Sequence, residues 1–162
     1  MLFIKDKNDF TTTVEKALDE IDDQWRTYQG TLIVGSHTPT DVESKLFAIC
    51  QARENNTPFL GICFGHQLAA IEYARNVLGI KDATSEEFGQ GTFIVKKLLQ
   101  LNVGLHDGES YWNNYEVDQE FETKWEKADN FITVQYHPEY QSSKERPHPI
   151  LIKFINVCKK KS

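Results

Sequence analysis

The sequence predicts an α/β fold built on parallel strands, and three observations carry that prediction. Gly30-Thr-Leu-Ile-Val-Gly35 and Pro58-Phe-Leu-Gly-Ile62 are continuous apolar runs bounded by glycine or proline, the pattern of strands buried on both faces. Residues 42–55 and 66–78 place apolar side chains at helical spacing. The order strand, loop, helix, strand, turn, helix is that of a parallel sheet crossed over by helices.

The elements follow in order. Leu2-Phe3-Ile4 opens a strand. Asp9 is the expected cap of a helix in which Val14, Ala17, Leu18 and Ile21 share one face. After the first buried strand, Ser36-His-Thr-Pro-Thr-Asp41 is a loop by composition. The helix Val42–Asn55 turns Val42, Leu46, Ile49 and Cys50 inward, and Asn55-Asn56 ends it. The strand Pro58–Ile62 stops at Cys63. The helix His66–Leu78 then buries Leu68, Ala69, Ile71, Ala74 and Val77, with Gly79 as its stop. In the second half Thr92–Leu99, Tyr111–Val117 and Phe131–Tyr136 are strand-like, fitting either an extended sheet or a smaller antiparallel patch. Pro149–Val157 is a closing helix, and Lys159-Lys160-Lys161 suits its negative C-terminal end.

Composition bounds the function. The 162 residues are expected to form one domain, 1–162, large enough to bury a core without disulfides or a structural metal. A net charge of −6 opposes binding to nucleic acid or to an anionic membrane surface. No apolar run approaches the roughly 20 residues of a spanning helix, and the first seven residues carry no signal-peptide core, so a cytoplasmic location is expected. The three cysteines are odd in number and widely spaced, which fits neither a disulfide framework nor a zinc site. With no phosphate loop and no metal-ligand cluster, no cofactor and no metal are expected. Cys50 and Cys158 fall on apolar helix faces and read as core thiols.

Cys63 is different. Leu60-Gly61-Ile62-Cys63-Phe64-Gly65-His66-Gln67 runs from a strand through Gly-x-Cys-x-Gly into a helix, the form of a nucleophile elbow. A helix N-terminus favours a thiolate, and the Phe64 N–H is placed to meet an oxyanion. A thiol nucleophile needs a base and the base an orienting partner. In Thr133-Val-Gln-Tyr-His-Pro-Glu139, Pro138 biases His137 toward an extended backbone. Residues two apart then share a side, so Glu139 reaches the imidazole. His37, in the loop after a strand, is a substrate contact, an alternative base or a solvated loop residue. His66 packs or caps, and His106 and His148 read as surface.

Gly-Ile-Cys-Phe-Gly-His-Gln, followed some seventy residues later by Gln-Tyr-His-Pro-Glu, resembles the class I glutamine amidotransferase family. The stretch Pro58–Ala83, the Tyr115-Glu116-Val117 region and His-Pro-Glu-Tyr with its Arg-Pro-x-Pro tail resemble the glutaminase domain in the CTP synthase branch. The opening Phe3-Ile-Lys-Asp-Lys-Asn-Asp-Phe-Thr is similar to anthranilate-synthase-type glutaminases. The resemblance implies a three-layer, flavodoxin-like fold with a mostly parallel central sheet. That sheet is expected to be shortened in its N-terminal half, because the span between the first helix and Gly30 lacks room for the usual second strand and its helix.

It also implies roles. Cys63 would attack an amide carbon to form a thioester, His137 would shuttle the proton and Glu139 would hold His137. Gln67 matches a glutamine-contacting position. The family's tandem-glycine loop is reduced here to Gly35-Ser36-His37-Thr38-Pro39, leaving the Ser36 or His37 N–H as candidates for the second oxyanion donor. Asn114 stands where CTP synthases carry an arginine that grips the glutamine carboxylate, an exchange that is not conservative. Three functions follow. One is a glutaminase passing ammonia to a separate synthetase subunit. A second is a stand-alone amidohydrolase or transferase on another small-molecule amide, with Gly35, His37, Trp112, Asn113 and Asn114 shaping the pocket. The third is a catalytically impaired binding or regulatory module.

Overall fold

The computed structural model describes residues 1–6, 8–38 and 40–162; Lys7, and Pro39 of the expected 36–41 loop, lie outside them. The chain runs β1 (Leu2–Ile4), α1 (Asp9–Ile21), β2 (Thr31–Ile33), α2 (Val42–Glu54), β3 (Phe59–Ile62), α3 (Phe64–Asn76), β4 (Ala83–Ser85), β5 (Thr92–His106), β6 (Glu109–Val117), α4 (Gln119–Glu122), β7 (Phe131–Val134) and α5 (Pro149–Lys161). The central sheet has the order β1-β2-β3-β7, with every neighbouring pair parallel. Of the strand-like stretches in the second half, β7 completes this sheet. The other two form a β5–β6 antiparallel hairpin, extended by β4 into a second sheet.

Alternation along the parallel strands sorts the core into two layers. Leu32, Leu60, Ile62, Ile132 and Val134 pack against Val14, Ala17 and Leu18 of α1, Trp25, and Leu151, Phe154 and Ile155 of α5. Ile33, Phe59 and Phe131 face the other way, onto Leu46, Ile49 and Ala52 of α2 and Leu68, Ile71 and Ala74 of α3. Helices thus cover both faces, as a parallel sheet requires. An ion pair pins α2 to α3 beside this core, with the Arg53 guanidinium donating to the buried Glu72 carboxylate at 2.8–3.0 Å.

The shortened half of the sheet is visible. Between α1 and β2 there is one 3₁₀ turn at Trp25–Thr27 and no strand, so β2 pairs directly with β1 at the sheet edge. Trp25 is fully buried and its Nε1 donates to Asp19 at 2.8 Å.

Several expectations need correction. The N-cap of α1 is Asn8, whose side chain accepts from the Thr11 N–H at 3.1 Å; Asp9 is the first helical residue. Cys50 is not a core thiol: it sits half-buried beside Arg53, and burial, then Glu72, push its thiol up. Cys158 is buried as expected, and burial pushes its thiol up to about 12. His148 is not a surface residue but the buried N-cap of α5, where Nδ1 accepts from the Ile150 N–H and Nε2 donates to Glu109 at 2.8 Å. β5 runs on to His106, seven residues past the expected end, because Asp107 and Gly108 both take positive φ (53° and 82°) and close a two-residue hairpin with β6.

Candidate active site

Parallel pairing brings the carboxyl ends of β2, β3 and β7 to one edge, where open α/β sheets place their sites. Cys63 follows β3. Its N–H donates to the Val134 carbonyl at 2.8 Å, so the ladder holds it up to the turn. Its own backbone then turns, at φ 53° and ψ −100°, into the sparsely populated positive-φ half of the map. The strain sits on the cysteine and not on the flanking glycines, neither of which has positive φ. Those glycines are needed for close approach. A Cβ on Gly65 would lie 2.3 Å from the Ile33 carbonyl oxygen, and one on Gly61 would lie 2.8 Å from the Gly65 backbone. With α3 seated so tightly on the sheet, the Phe64, Gly65 and His66 N–H groups precede its first internal bond, Gln67 N–H to Cys63 C=O.

His137 lies just beyond β7. Its backbone is extended (φ −104°, ψ 91°), as a residue before proline prefers, and its N–H donates to the Ser110 carbonyl at 2.7 Å. Glu139 reaches the ring by a different route from the expected extended chain: Pro138–Gln141 is a 3₁₀ turn that brings the carboxylate round to the imidazole. Nδ1 donates to Glu139 Oε1 at 2.7 Å, both side chains being buried. The carboxylate can only accept, so it fixes the tautomer. The ring stacks on Phe10 at 4.3 Å, and its Cε1 rests on Gly35, where a Cβ would be only 2.7 Å away.

Nε2 of His137 is buried without a partner among the described residues. The Cys63 thiol lies beside the ring without a well-formed hydrogen bond to it. Sγ is met instead by Gln135 Nε2 at 3.5 Å and faces the Trp112 carbonyl at 3.8 Å. Burial opposes a charge on His137, but the Cys63 sulfur and the Glu139 carboxylate outweigh it and lift the imidazole to about 10. Such a ring stays protonated at neutral pH as long as the sulfur beside it is anionic.

A cleft of about 100 Å³ opens in front of Cys63 and brings Ser36, His37, Phe64, Gln67, Trp112, Asn113 and Asn114 together. Gly35 does not line it; its place is under the His137 ring. Gln67 spends its amide N–H groups on the Tyr115 carbonyl at 2.8 Å and on Gln135 Oε1 at 3.2 Å, tying α3 to β6 and to the residue just past β7. Asn113 also donates to the Tyr115 carbonyl, at 2.9 Å, and its buried Oδ1 has no partner among the described residues. The His37 ring lies against Phe10 and Trp112. His66 stays outside the cleft. Its Nδ1 meets Thr133 Oγ1 at 2.9 Å and its Nε2 faces Glu122, and burial pushes the imidazole down.

Three contributors escape the sequence reading. Glu87 enters the cleft from the turn after β4, and its local sequence carries no signal. Phe10 comes from α1, where it reads as one more core position. Gln135 was legible in principle, as a polar side chain at the end of an apolar strand. No group of three or more His, Cys, Asp or Glu among the described residues could hold a metal ion. None of the described helices is long and apolar enough to cross a membrane.

A family model, glutamine amidotransferase class-I, matches residues 7–157. The chain belongs to the class I glutamine amidotransferase family. Within it the chain is similar to CTP synthases. It is 35% identical to that of Methanoculleus marisnigri, with 81% of this chain and 34% of the relative covered. It is 30% identical to that of Bdellovibrio bacteriovorus, with 92% and 37% covered. This amidotransferase chain therefore spans about a third of the length of the curated relatives it matches. A solved Trypanosoma brucei CTPS glutaminase domain with bound acivicin superposes with a TM-score of 0.78 at 21% identity, covering 99% of this chain and 93% of that one. That likeness establishes the flavodoxin-like amidotransferase fold.

Proposed function

We propose that this chain is a cysteine-dependent amidohydrolase of the glutaminase type. Cys63 serves as nucleophile, His137 as general acid and base, and Glu139 as the group that orients His137. The observation that carries this reading is the arrangement at one sheet edge: a thiol on a strained turn at a helix N-terminus, beside a buried imidazole whose far nitrogen is fixed on a carboxylate and whose near nitrogen has no partner among the described residues. In the reaction the Cys63 sulfur bonds to the carboxamide carbon. Charge developing on the oxygen meets the Phe64 N–H, with the Ser36 or His37 N–H as second donor. The imidazolium gives its proton to the leaving nitrogen as the C–N bond breaks, and ammonia departs. Water then attacks the thioester while His137 takes its proton, and a carboxylate product leaves Cys63 free.

Glutamine is the substrate the family membership favours, and the ammonia acceptor would be a synthetase. Two measurements test the proposal. Mass spectrometry of the protein treated with chloroacetamide at neutral pH is expected to place the first adduct on Cys63, ahead of Cys50 and Cys158. Ammonia release from a panel of primary amides is expected to vanish in Cys63→Ser. An inert Cys63, or turnover that survives its replacement, overturns the reading.

A further inference from the structure

The sulfur of Cys63 has two contacts to which the reaction, as derived from Cys63, His137, Glu139 and the start of α3, gives no part. One is the Trp112 carbonyl, 3.8 Å away, which can only accept. It suits an S–H group and disfavours an anion at the same place. The other is Gln135, just past β7, whose Nε2 reaches Sγ at 3.5 Å. An amide N–H has the opposite preference, since it bonds a thiolate more strongly than a thiol. The titratable groups facing the sulfur are His137, with Glu139 behind it, and His37 and Glu87 across the cleft. Apart from the sulfur itself, Glu87 is the only full charge among the described lining residues, and no lysine or arginine lies there to offset it. A donor placed on the sulfur therefore works against both Glu87 and the Trp112 carbonyl.

Which end of the Gln135 amide meets the sulfur is decided further off. The Tyr115 carbonyl of β6 accepts from Gln67 Nε2 at 2.8 Å, and a carbonyl cannot donate, so the NH₂ of Gln67 must lie on that side. The second N–H of the same nitrogen needs an acceptor on Gln135, which sets Oε1 against it at 3.2 Å. The Gln135 NH₂ is then left facing Sγ. Turning that amide over would oppose two NH₂ groups and put a carbonyl oxygen against the sulfur. Gln67 is only 6% exposed, so water is poorly placed to repair such a mismatch. It also sits one helical turn after Cys63 in α3, so the relay starts and ends on the elbow.

We infer that Gln135 is a further catalytic residue of this site: its amide N–H holds the Cys63 sulfur as the thiolate and aims it, and Gln67 positions Gln135 for that task. This rests on the hydrolase reading above and adds a group to its mechanism. Gln135 makes and breaks no covalent bond. It donates to the sulfur before attack, lets go as the sulfur's charge passes into the new S–C bond, and donates again when water frees the thiolate.

The test is the pH profile of Cys63 alkylation by chloroacetamide, followed by mass, which reads the sulfur with no substrate bound. Gln135→Met keeps the length of the side chain and removes the donor. Its rising limb is expected to move to higher pH by about one unit, so that alkylation on that limb is about tenfold slower, while the plateau rate at high pH is kept; that is the scale of one hydrogen bond to a charged group. Gln135→Glu, of the same shape, should move the limb further, because a carboxylate there repels the thiolate. Gln67→Met should give part of the Gln135→Met shift when made alone and add nothing on top of it. If Gln135→Met fails to fold, Gln135→Glu and Gln67→Met carry the same test. A side chain that merely packs would leave the limb where it is. An unmoved limb, or an equal loss at every pH, overturns the role of Gln135 and leaves the hydrolase reading standing. Additive shifts overturn the part given to Gln67. A Cys63 that chloroacetamide does not alkylate in the unaltered chain overturns the hydrolase reading and the role of Gln135 together.

Discussion

At the scale of single residues, the site is a set of positions each held from two sides. His137 is fixed by Glu139 at Nδ1, by Phe10 on its face and by the bare backbone of Gly35 beneath. Removing the charge that orients the ring should therefore act on both its tautomer and its proton affinity. Glu139→Gln is expected to lower turnover about 10²–10⁴-fold. It should also move the His137 titration, followed by the NMR signal of its Cε1 proton, down from about 10, since Glu139 is one of the two groups that raise it. An unchanged midpoint would show that the carboxylate does not set the ring's charge. Gly35→Ala puts a methyl 2.7 Å from Cε1 and 3.1 Å from the Phe10 ring. The imidazole must shift, and a displacement near 1 Å is worth about 10²-fold in rate. Overpacking should cost only about 1–3 kcal/mol. Enzyme assay and urea unfolding together separate the two effects.

At the scale of elements, what decides is how closely α3 seats on the sheet. Gly65 touches the Ile33 carbonyl where α3 meets β2, and the obstacle is backbone, which cannot swing away. Gly65→Ala should destabilise the protein by about 3 kcal/mol even though alanine is the better helix former by about 1 kcal/mol. Gly79 gives the contrast. It has φ +75° at the end of α3 but open space around it, so alanine there meets only the left-handed penalty of about 1–2 kcal/mol. Urea midpoints should rank Gly65→Ala below Gly79→Ala, and the reverse order would mean that close packing does not explain the second glycine of the elbow. The β5–β6 hairpin shows where hydropathy misleads. Leu99, Leu101, Val103 and Leu105 are exposed, so their alternation marks no buried face, and a reading by burial ends the strand early. The Asp107-Gly108 turn was the available signal.

For the whole molecule, the ion pairs set opposite ends of a pH window. Lys5 and Arg26 hold Glu15 below the usual carboxylate range; Arg26 does the same for Asp19, and Lys96 for Asp118. A carboxylate whose folded pKa is depressed stabilises the fold above its ordinary value and loses that contribution as pH falls through the folded one. His137 is raised from 6.5 to about 10, so its contribution is complete below 6.5 and is lost as pH rises through about 10. The melting temperature by circular dichroism should therefore hold level through neutrality, fall on the acid side below about 4.5, the ordinary glutamate value, and decline toward pH 10. Salt should flatten the acid limb, because those pairs are exposed. A steep fall between pH 6 and 8 would contradict this assignment of charges.

The sequence by itself determined the parallel strands, the elbow and the pairing of His137 with Glu139. Each is written in local pattern: apolar runs, a Gly-x-Cys-x-Gly turn and a His-Pro-Glu tripeptide. It also foretold the missing strand ahead of β2, from the length of chain available there. Only the tertiary structure decided what surrounds the chemistry. Gln135, Phe10 and Glu87 come from three separate segments: Gln135 reaches Cys63 because β3 and β7 pair in register, Phe10 reaches His137 from the first turn of α1, and Glu87 enters the Cys63 cleft from the turn after β4 in the second sheet. The sign of the charge in the cleft is likewise a sum over segments distant in the chain, which no local pattern encodes.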